Sequence, residues 1–351
     1  MAANQAQQTG IDKFERYSRQ MILPGWGREG QSRLSEKSVT VVGCGALGSH
    51  VASHLARAGV GRLILADRDF VEYSNLPRQA LYSEADAAAG LPKAVAAAQR
   101  LRQLNSQVEI EPHVVDVNPD TIEDLIAGAD LVMDGADNFE VRYLVNEACV
   151  KHRIPWVYGG VLGTYGLTAA ILPGETPCLY CLLGPMPPPG SVPTCETAGV
   201  LGPAVATIAA LETVEGLKVL LDRRDALLKS LVVVDVWAGD FERIQTQRSQ
   251  TRCPVCDDGR YELLDAERGS LTAVLCGRNA VQIRPWPAQV LDLAVLARRL
   301  EGTGPITAND YLLRFEVEGC QLTLFPDGRA IVKGTGDPIR ARALYARYVG
   351  V

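Results

Sequence analysis

Short apolar runs alternate with stretches of helical periodicity through the first half of the chain. Val39-Thr40-Val41-Val42 predicts a buried strand that breaks into Gly43-Cys44-Gly45-Ala46-Leu47-Gly48; apolar positions at Val51, Leu55, Ala58 and Val60 then predict a helix. Leu63 to Ala66 predicts the second strand, and Lys93 to about Leu104 an Ala-rich helix with Pro92 at its mouth. Val108 to Ile110 with Val114-Val115 predicts a further strand region, Thr121 to Ile126 a helix, Leu131 to Met133 a strand, Phe139 to Lys151 a helix and Pro155 to Tyr158 a strand. This alternation from residue 39 to about 160 predicts a doubly wound, Rossmann-like α/β fold with a mostly parallel sheet. Two short helices, 14–20 and 29–35, precede it.

The pattern then changes. Gly166 to Leu172 and Leu231 to Asp235 predict strands, Val205 to Leu221 a long apolar helix, and the Pro/Gly-rich 184–190 a crossover without regular structure. From about 271 the order becomes strands 271–275 and 281–283, helix 291–300, strands 311–317, 321–325 and 330–333, and helix 340–348. The expected division is therefore 1–265, carrying the nucleotide fold, and 266–351, a small α+β domain.

Composition narrows the function. Of 351 residues 47% are hydrophobic and 22% charged, enough for a sizeable core. Net charge is −6, with Lys and Arg scattered, which excludes nucleic acid as the principal partner. Residues 271–351 hold 10 basic and 7 acidic side chains, so the mild positive charge lies at the C-terminal end. The longest apolar run, Val200 to Leu211, contains a proline and is too short for a membrane span. Residues 1–10 are polar and lack an export-signal pattern, and nine cysteines is an odd number; a cytoplasmic protein is expected.

The glycine loop is the first candidate site. Gly43 suits a tight turn, Gly45 the approach of a phosphate, Gly48 close helix–strand packing, and the helix N-terminus attracts an anion. Asp67, at the end of the second strand, is placed to accept from a ribose hydroxyl. This unit alone does not separate a nicotinamide cofactor from ATP. Asp137 and Asn138 share the carboxyl edge of the sheet, and Lys93 puts a cation where the helix dipole disfavours one, a placement that a phosphate would explain. Cys178-x-x-Cys181 and Cys253-x-x-Cys256 have the spacing of a closed, structural zinc site; a redox-active pair is the rival reading. Cys195 follows the Pro-rich segment as a candidate reactive thiol, against the plainer reading of a packed residue. Cys44, Cys149, Cys276 and Cys320 fall in apolar patterns and are expected in the core. His50 and His54, at i,i+4, lack a third ligand and are read as packing or surface residues.

Taken together, Arg16-Tyr17-Ser18-Arg19-Gln20, the loop Gly43 to Gly48, Asp67-x-Asp69, Ser74-Asn75-Leu76-x-Arg78-Gln79, Lys93, Asp137-Asn138-x-x-x-Arg142 and the paired C-x-x-C motifs resemble the ThiF/MoeB/HesA family. These are bacterial adenylyltransferases related to ubiquitin-activating enzymes. The resemblance covers roughly residues 14–258. Its most specific element is Ser74 to Gln79, which no nicotinamide dehydrogenase needs. It implies binding of ATP and Mg²⁺, and adenylation of the C-terminal glycine of a small ubiquitin-fold sulfur-carrier protein. A ThiS-type carrier is favoured over a MoaD-type one because of the C-terminal extension. By the same match Gly45 and Ala46 lie against the nucleotide, Ala46 replacing a glycine common in relatives. Asp67 holds the ribose, while Asn75, Arg78 and Lys93 neutralise phosphates. Asp137 holds Mg²⁺ or orients the attacking carboxylate, and Arg19 reaches into the ATP site of a second subunit, implying a homodimer. The cysteine matching Cys195 joins the carrier covalently in some members. No rhodanese-like unit follows, so a separate cysteine desulfurase or rhodanese is the expected sulfur donor, and the C-terminal domain is a candidate recruiter of partners. The alternatives are an NAD(P)-dependent oxidoreductase on the same fold and a non-catalytic adaptor.

Overall fold

The computed structural model describes residues 13–187, 198–246, 252–265, 272–275, 279–284 and 290–349. Short helices α1 (Ser18–Met21) and α2 (Gly27–Leu34) lead into β1 (Ser38–Val42), α3 (Ala46–Ala58) and β2 (Arg62–Ala66). There follow α4 (Glu84–Ala88), α5 (Lys93–Leu104), β3 (Glu109–His113), α6 (Ile122–Ile126), β4 (Leu131–Asp134), α7 (Phe139–His152), β5 (Trp156–Leu162) and β6 (Tyr165–Ile171). Next come α8 (Leu179–Leu183), α9 (Gly202–Leu220), β7 (Ser230–Asp235) and β8 (Asp240–Gln245). The eight strands form one sheet in the order β3-β2-β1-β4-β5-β6-β7-β8. It is parallel from β3 through β5 and antiparallel from β5 onward.

Alternation along β1 explains how both faces are covered. Val39 and Val41 enter one core with Val51 and Leu55 of α3, Leu101 of α5 and Ile208 of α9. Val42 turns to the other face, with Ile122 and Ile126 of α6 and Leu144 and Ala148 of α7. Register places Val42 beside both Ala66 and Asp134, so the carboxyl ends of β1, β2 and β4 finish together. Ligands of open parallel sheets bind at that edge, where the strand order reverses.

The described residues fall into two compact units, one ending at residue 265 and the other beginning at 272. The second holds β9 (Thr272–Leu275), β10 (Ala280–Ile283), α10 (Leu293–Leu300), β11 (Ile306–Ala308), β12 (Leu313–Val317), β13 (Cys320–Leu324), β14 (Ala330–Lys333) and α11 (Pro338–Tyr348). Its antiparallel sheet runs β11-β12-β13-β14-β10-β9. Leu296 and Leu300 of α10 and Leu344 and Tyr345 of α11 pack on Phe315, Leu322 and Val332 to form a separate core.

The elements depart from the sequence expectation at the sheet margins. Val114-Val115 lies beyond β3, because pairing with β2 ends at His113 opposite Ala66. Strands β8 and β11 escaped the pattern: β8 is a polar edge strand exposed at every position, and β11 has only three residues. Helices α4 and α8 are also absent from the sequence expectation, α8 beginning inside the first C-x-x-C and running past it to Leu183. No helix among the described residues is long and apolar enough to cross a membrane.

Candidate active site

The glycine loop is held from below by backbone contact with the β4 end. Gly43 has φ +89°, and a Cβ there would lie 2.5 Å from the Gly135 carbonyl oxygen. A Cβ on Gly48 would lie 1.8 Å from the Gly43 carbonyl oxygen. Both glycines are therefore required by the fold itself. Gly45 differs. It precedes α3 with φ −74°, and a Cβ on it would meet nothing closer than 3.9 Å. Internal packing does not demand glycine there, and the position is left open at the ligand edge of the sheet. Ala46 is the first residue of α3, at the positive end of a 13-residue helix.

Charged groups converge beside this opening. Asp67, 9% exposed at the end of β2, accepts the Cys44 N–H through Oδ2 and the Asp69 N–H through Oδ1, each at 2.7 Å. Those bonds lock the loop to β2 and leave one lone pair on each oxygen for a hydroxyl. Burial pushes its carboxyl above the ordinary range, against the pull of Lys93. Lys93 begins α5 and donates from Nζ to Asp69 Oδ2 at 3.1 Å. Burial opposes its charge, but Asp69, Asp67 and Asp137 outweigh that, and the ammonium is held above the usual lysine range. Helix α5 thus starts with a cation because acidic residues at the ends of two other strands require one.

The remaining candidates surround this cluster. Asn75 is buried and accepts the Glu72 N–H at 3.0 Å; Arg78, in the same turn, donates to the Ser74 carbonyl at 2.7 Å. Ser74 is exposed, Leu76 packs on the core, and Gln79 is buried with Nε2 4.0 Å from where a Gly45 Cβ would stand. Asp137 is exposed on the loop after β4. Asn138 caps α7 by accepting the Val141 N–H at 2.9 Å and donates to Asp137 Oδ1 at 3.0 Å. Arg19, on α1, is exposed. Cys195 and Cys276 lie outside the described residues, whereas Cys44, Cys149 and Cys320 are buried as expected.

The four paired cysteines come together. Sγ separations are 3.8 Å for Cys178–Cys181, 3.7 Å for Cys178–Cys253 and 3.6 Å for Cys181–Cys256. A tetrahedron of thiolates around zinc, with bonds of about 2.3 Å, has edges of about 3.8 Å. The donor set therefore fits a closed zinc site and is too widely spaced for disulfides. Burial pushes the Cys178 thiol up to about 12, whereas at Cys253 burial is outweighed by hydrogen bonds from the Cys256 backbone and from its cysteine neighbours, which draw it below the usual thiol range. A bound cation would favour the thiolate at every position.

Several residues of the site escaped the sequence reading. Tyr82 donates to the Cys44 carbonyl at 2.6 Å and supports the loop from beneath. Arg68 donates to Asp116 Oδ1 at 2.6 Å beside Asp69. Glu212 is fully buried behind β4. A carboxylate at i+4 from Ile208 and i−4 from Gly216, on the buried stripe of an apolar helix, was the available signal.

A doubly wound sheet with a loop open at one glycine and a buried Lys–Asp cluster beside it defines a nucleotide-binding α/β protein. The ThiF family model matches residues 17–255, and the chain belongs to that family. It is 42% identical over 338 residues to the sulfur carrier protein ThiS adenylyltransferase of Bacillus subtilis (strain 168), covering 95% of this chain and 99% of that one. Against the sulfur carrier protein adenylyltransferase of Thermus thermophilus it is 43% identical over 263 residues, 73% and 96% of the two chains. It is also 38% identical over 315 residues to the adenylyltransferase and sulfurtransferase MOCS3 of Sus scrofa, 89% and 68% of the two. Among solved structures, E. coli MccB with ATP superposes with a TM-score of 0.58 at 25% identity, covering 69% of this chain and 74% of that one.

Proposed function

We propose that this protein uses ATP to adenylate the C-terminal glycine of a small ubiquitin-fold sulfur carrier. The tail carboxylate attacks the α-phosphorus: one carboxylate oxygen–phosphorus bond forms, the bond to the bridging oxygen breaks, and pyrophosphate leaves. The product is an acyl-adenylate ready for sulfur transfer. The observation that carries this reading is the buried Lys93 charge, set among Asp69, Asp67 and Asp137 beside the one glycine of the loop whose Cβ the fold has room for.

In this mechanism the protein positions and neutralises rather than bonding covalently to the phosphorus. Gly43, Gly45, Ala46 and Gly48 carry the phosphates against the start of α3, and Asp67 accepts from the ribose. Lys93, Arg78 and Asn75 face the charge that develops as pyrophosphate departs, with Ser74, Leu76 and Gln79 holding that turn in place. Asp137, with Asp69 nearby, would hold Mg²⁺, which supplies further neutralisation of the phosphates. Cys178, Cys181, Cys253 and Cys256 would hold Zn²⁺ as a clamp between two distant stretches of chain.

Arg19 completes the site of a second subunit in a homodimer, and its exposure supports that role. A separate cysteine desulfurase or rhodanese delivers sulfur, Cys195 is the thiol that can join the carrier as a thioester by displacing AMP from the acyl-adenylate, and the C-terminal unit recruits a partner. A ThiS-type carrier is favoured over a MoaD-type one, supported by the likeness to the Bacillus relative, which extends across 95% of the chain and so into the C-terminal unit. Carrier-dependent ATP–pyrophosphate exchange, run with each carrier in parallel, tests the reading.

A further inference from the structure

Behind the 134–138 loop lies a buried cluster with one cation and two carboxyl groups. Asp134, at the end of β4, accepts the Ala136 N–H through Oδ1 at 2.9 Å and Arg142 Nε through Oδ2 at 3.0 Å. Arg142 Nη2 donates to the Ala136 carbonyl at 2.8 Å, and its guanidinium lies over the Phe139 and Tyr158 rings at 5.7 and 5.6 Å. The residue before Asp137 is thus held by both its N–H and its carbonyl. Glu212 of α9 is 0% exposed, and neither of its carboxyl oxygens makes a well-formed hydrogen bond, although the Asp134 backbone lies near enough to favour the charged form slightly. It presses on Gly159, where a Cβ would lie 2.6 Å from Oε2, and the Gly159 N–H points at Asp134 Oδ2 from 3.4 Å.

We propose that Arg142 is the positioning residue of the adenylation site, fixing the loop that carries Asp137, and that an uncharged Glu212 keeps its guanidinium from being shared between two carboxylates. The groups facing Glu212 are Asp134 from β4 and Arg142 from α7, with Tyr158 of β5 against Arg142. Asp134 and Arg142 already neutralise each other, so a charge on Glu212 would be buried and unpaired. Burial first, and Asp134 second, push its carboxyl well above the ordinary range. An ionised Glu212 would compete for Arg142 and loosen its hold on the Ala136 carbonyl.

The inference rests on the adenylation reading for the role of Asp137, and two measurements separate them. The first is thermal and denaturant stability of wild type and Glu212→Gln between pH 5 and 9. An acid kept neutral only in the folded state makes wild type lose ground to the amide by up to about tenfold in unfolding constant per pH unit. A difference independent of pH means that Glu212 is charged and overturns the proposal whatever the activity. The second is ATP binding by calorimetry, with and without magnesium, for Arg142→Lys and Arg142→Met. The expected result is at least a fivefold loss of the magnesium-dependent gain in affinity for Met, partly restored by Lys, with magnesium-free binding nearly unchanged. Equal loss in both conditions overturns the positioning role. If wild type shows no exchange with any carrier, the adenylation reading fails while the stability measurement still decides the state of Glu212.

Discussion

Lys93 Nζ lies 3.1 Å from Asp69 Oδ2, and the lysine is only 6% exposed. The pair joins the start of α5 to the end of β2, so removing the cation takes the nearest positive charge from Asp69, leaving Arg68 at 3.9 Å, and takes from the buried Asp67 the cation that favours its charged form. Lys93→Met is expected to lower carrier-dependent exchange by at least about 100-fold. It should also cost about 3 kcal/mol of stability, because breaking a buried pair strands the remaining charge. Exchange kinetics and urea unfolding of the same preparation check both figures.

The charge on Lys93 also sets a pH range. Its folded-state value is raised above that of the unfolded chain, so its stabilisation is fully present below about pH 10.4 and is lost as pH rises through the folded value. The lysine contribution to ATP affinity should therefore be flat from pH 6 to 9. Calorimetric titration of wild type and Lys93→Met across that range should give a constant difference between them.

Two glycines of one loop should respond in opposite ways. Gly48→Ala drives a Cβ to 1.8 Å from the Gly43 carbonyl and should prevent folding or lower the melting temperature severely. Gly45→Ala meets nothing closer than 3.9 Å and should melt far closer to wild type than Gly48→Ala does. It should nevertheless bind ATP at least about tenfold more weakly, since the methyl group occupies space the phosphate needs. Melting curves with and without ATP distinguish the two.

Zinc analysis should return one ion per chain, released by Cys253→Ser. Loss of the clamp between the Cys178 and Cys253 stretches is expected to cost about 3–5 kcal/mol, or roughly 10 °C in a unit of this size. A redox-active pair would instead leave the purified protein free of zinc and titrate with dithiols.

Most of the fold was legible because apolar runs and helical periodicity report burial directly. The strands that carry the site, β1, β2 and β4, are of that kind. Strand β8 is polar at the sheet edge and carries no such pattern, and β11 is too short to show one. The site was legible where chemistry overrides local preference: a lysine at a helix mouth, a glycine loop after a strand, four cysteines in two pairs. Glu212 and the Asp134–Arg142 pair were not, because their meaning lies in contacts between α9, β4 and α7 that sequence spacing does not express. The open space at Gly45 likewise exists only in three dimensions; in sequence it is one glycine among three.

The central claim is tested most directly by ATP–pyrophosphate exchange with purified ThiS-type and MoaD-type carriers, each intact and with the C-terminal glycine removed. The account predicts exchange that requires the intact tail, is strongest with the ThiS-type carrier, and disappears in Lys93→Met. Exchange that proceeds equally well without any carrier, or with the truncated tail, would contradict it.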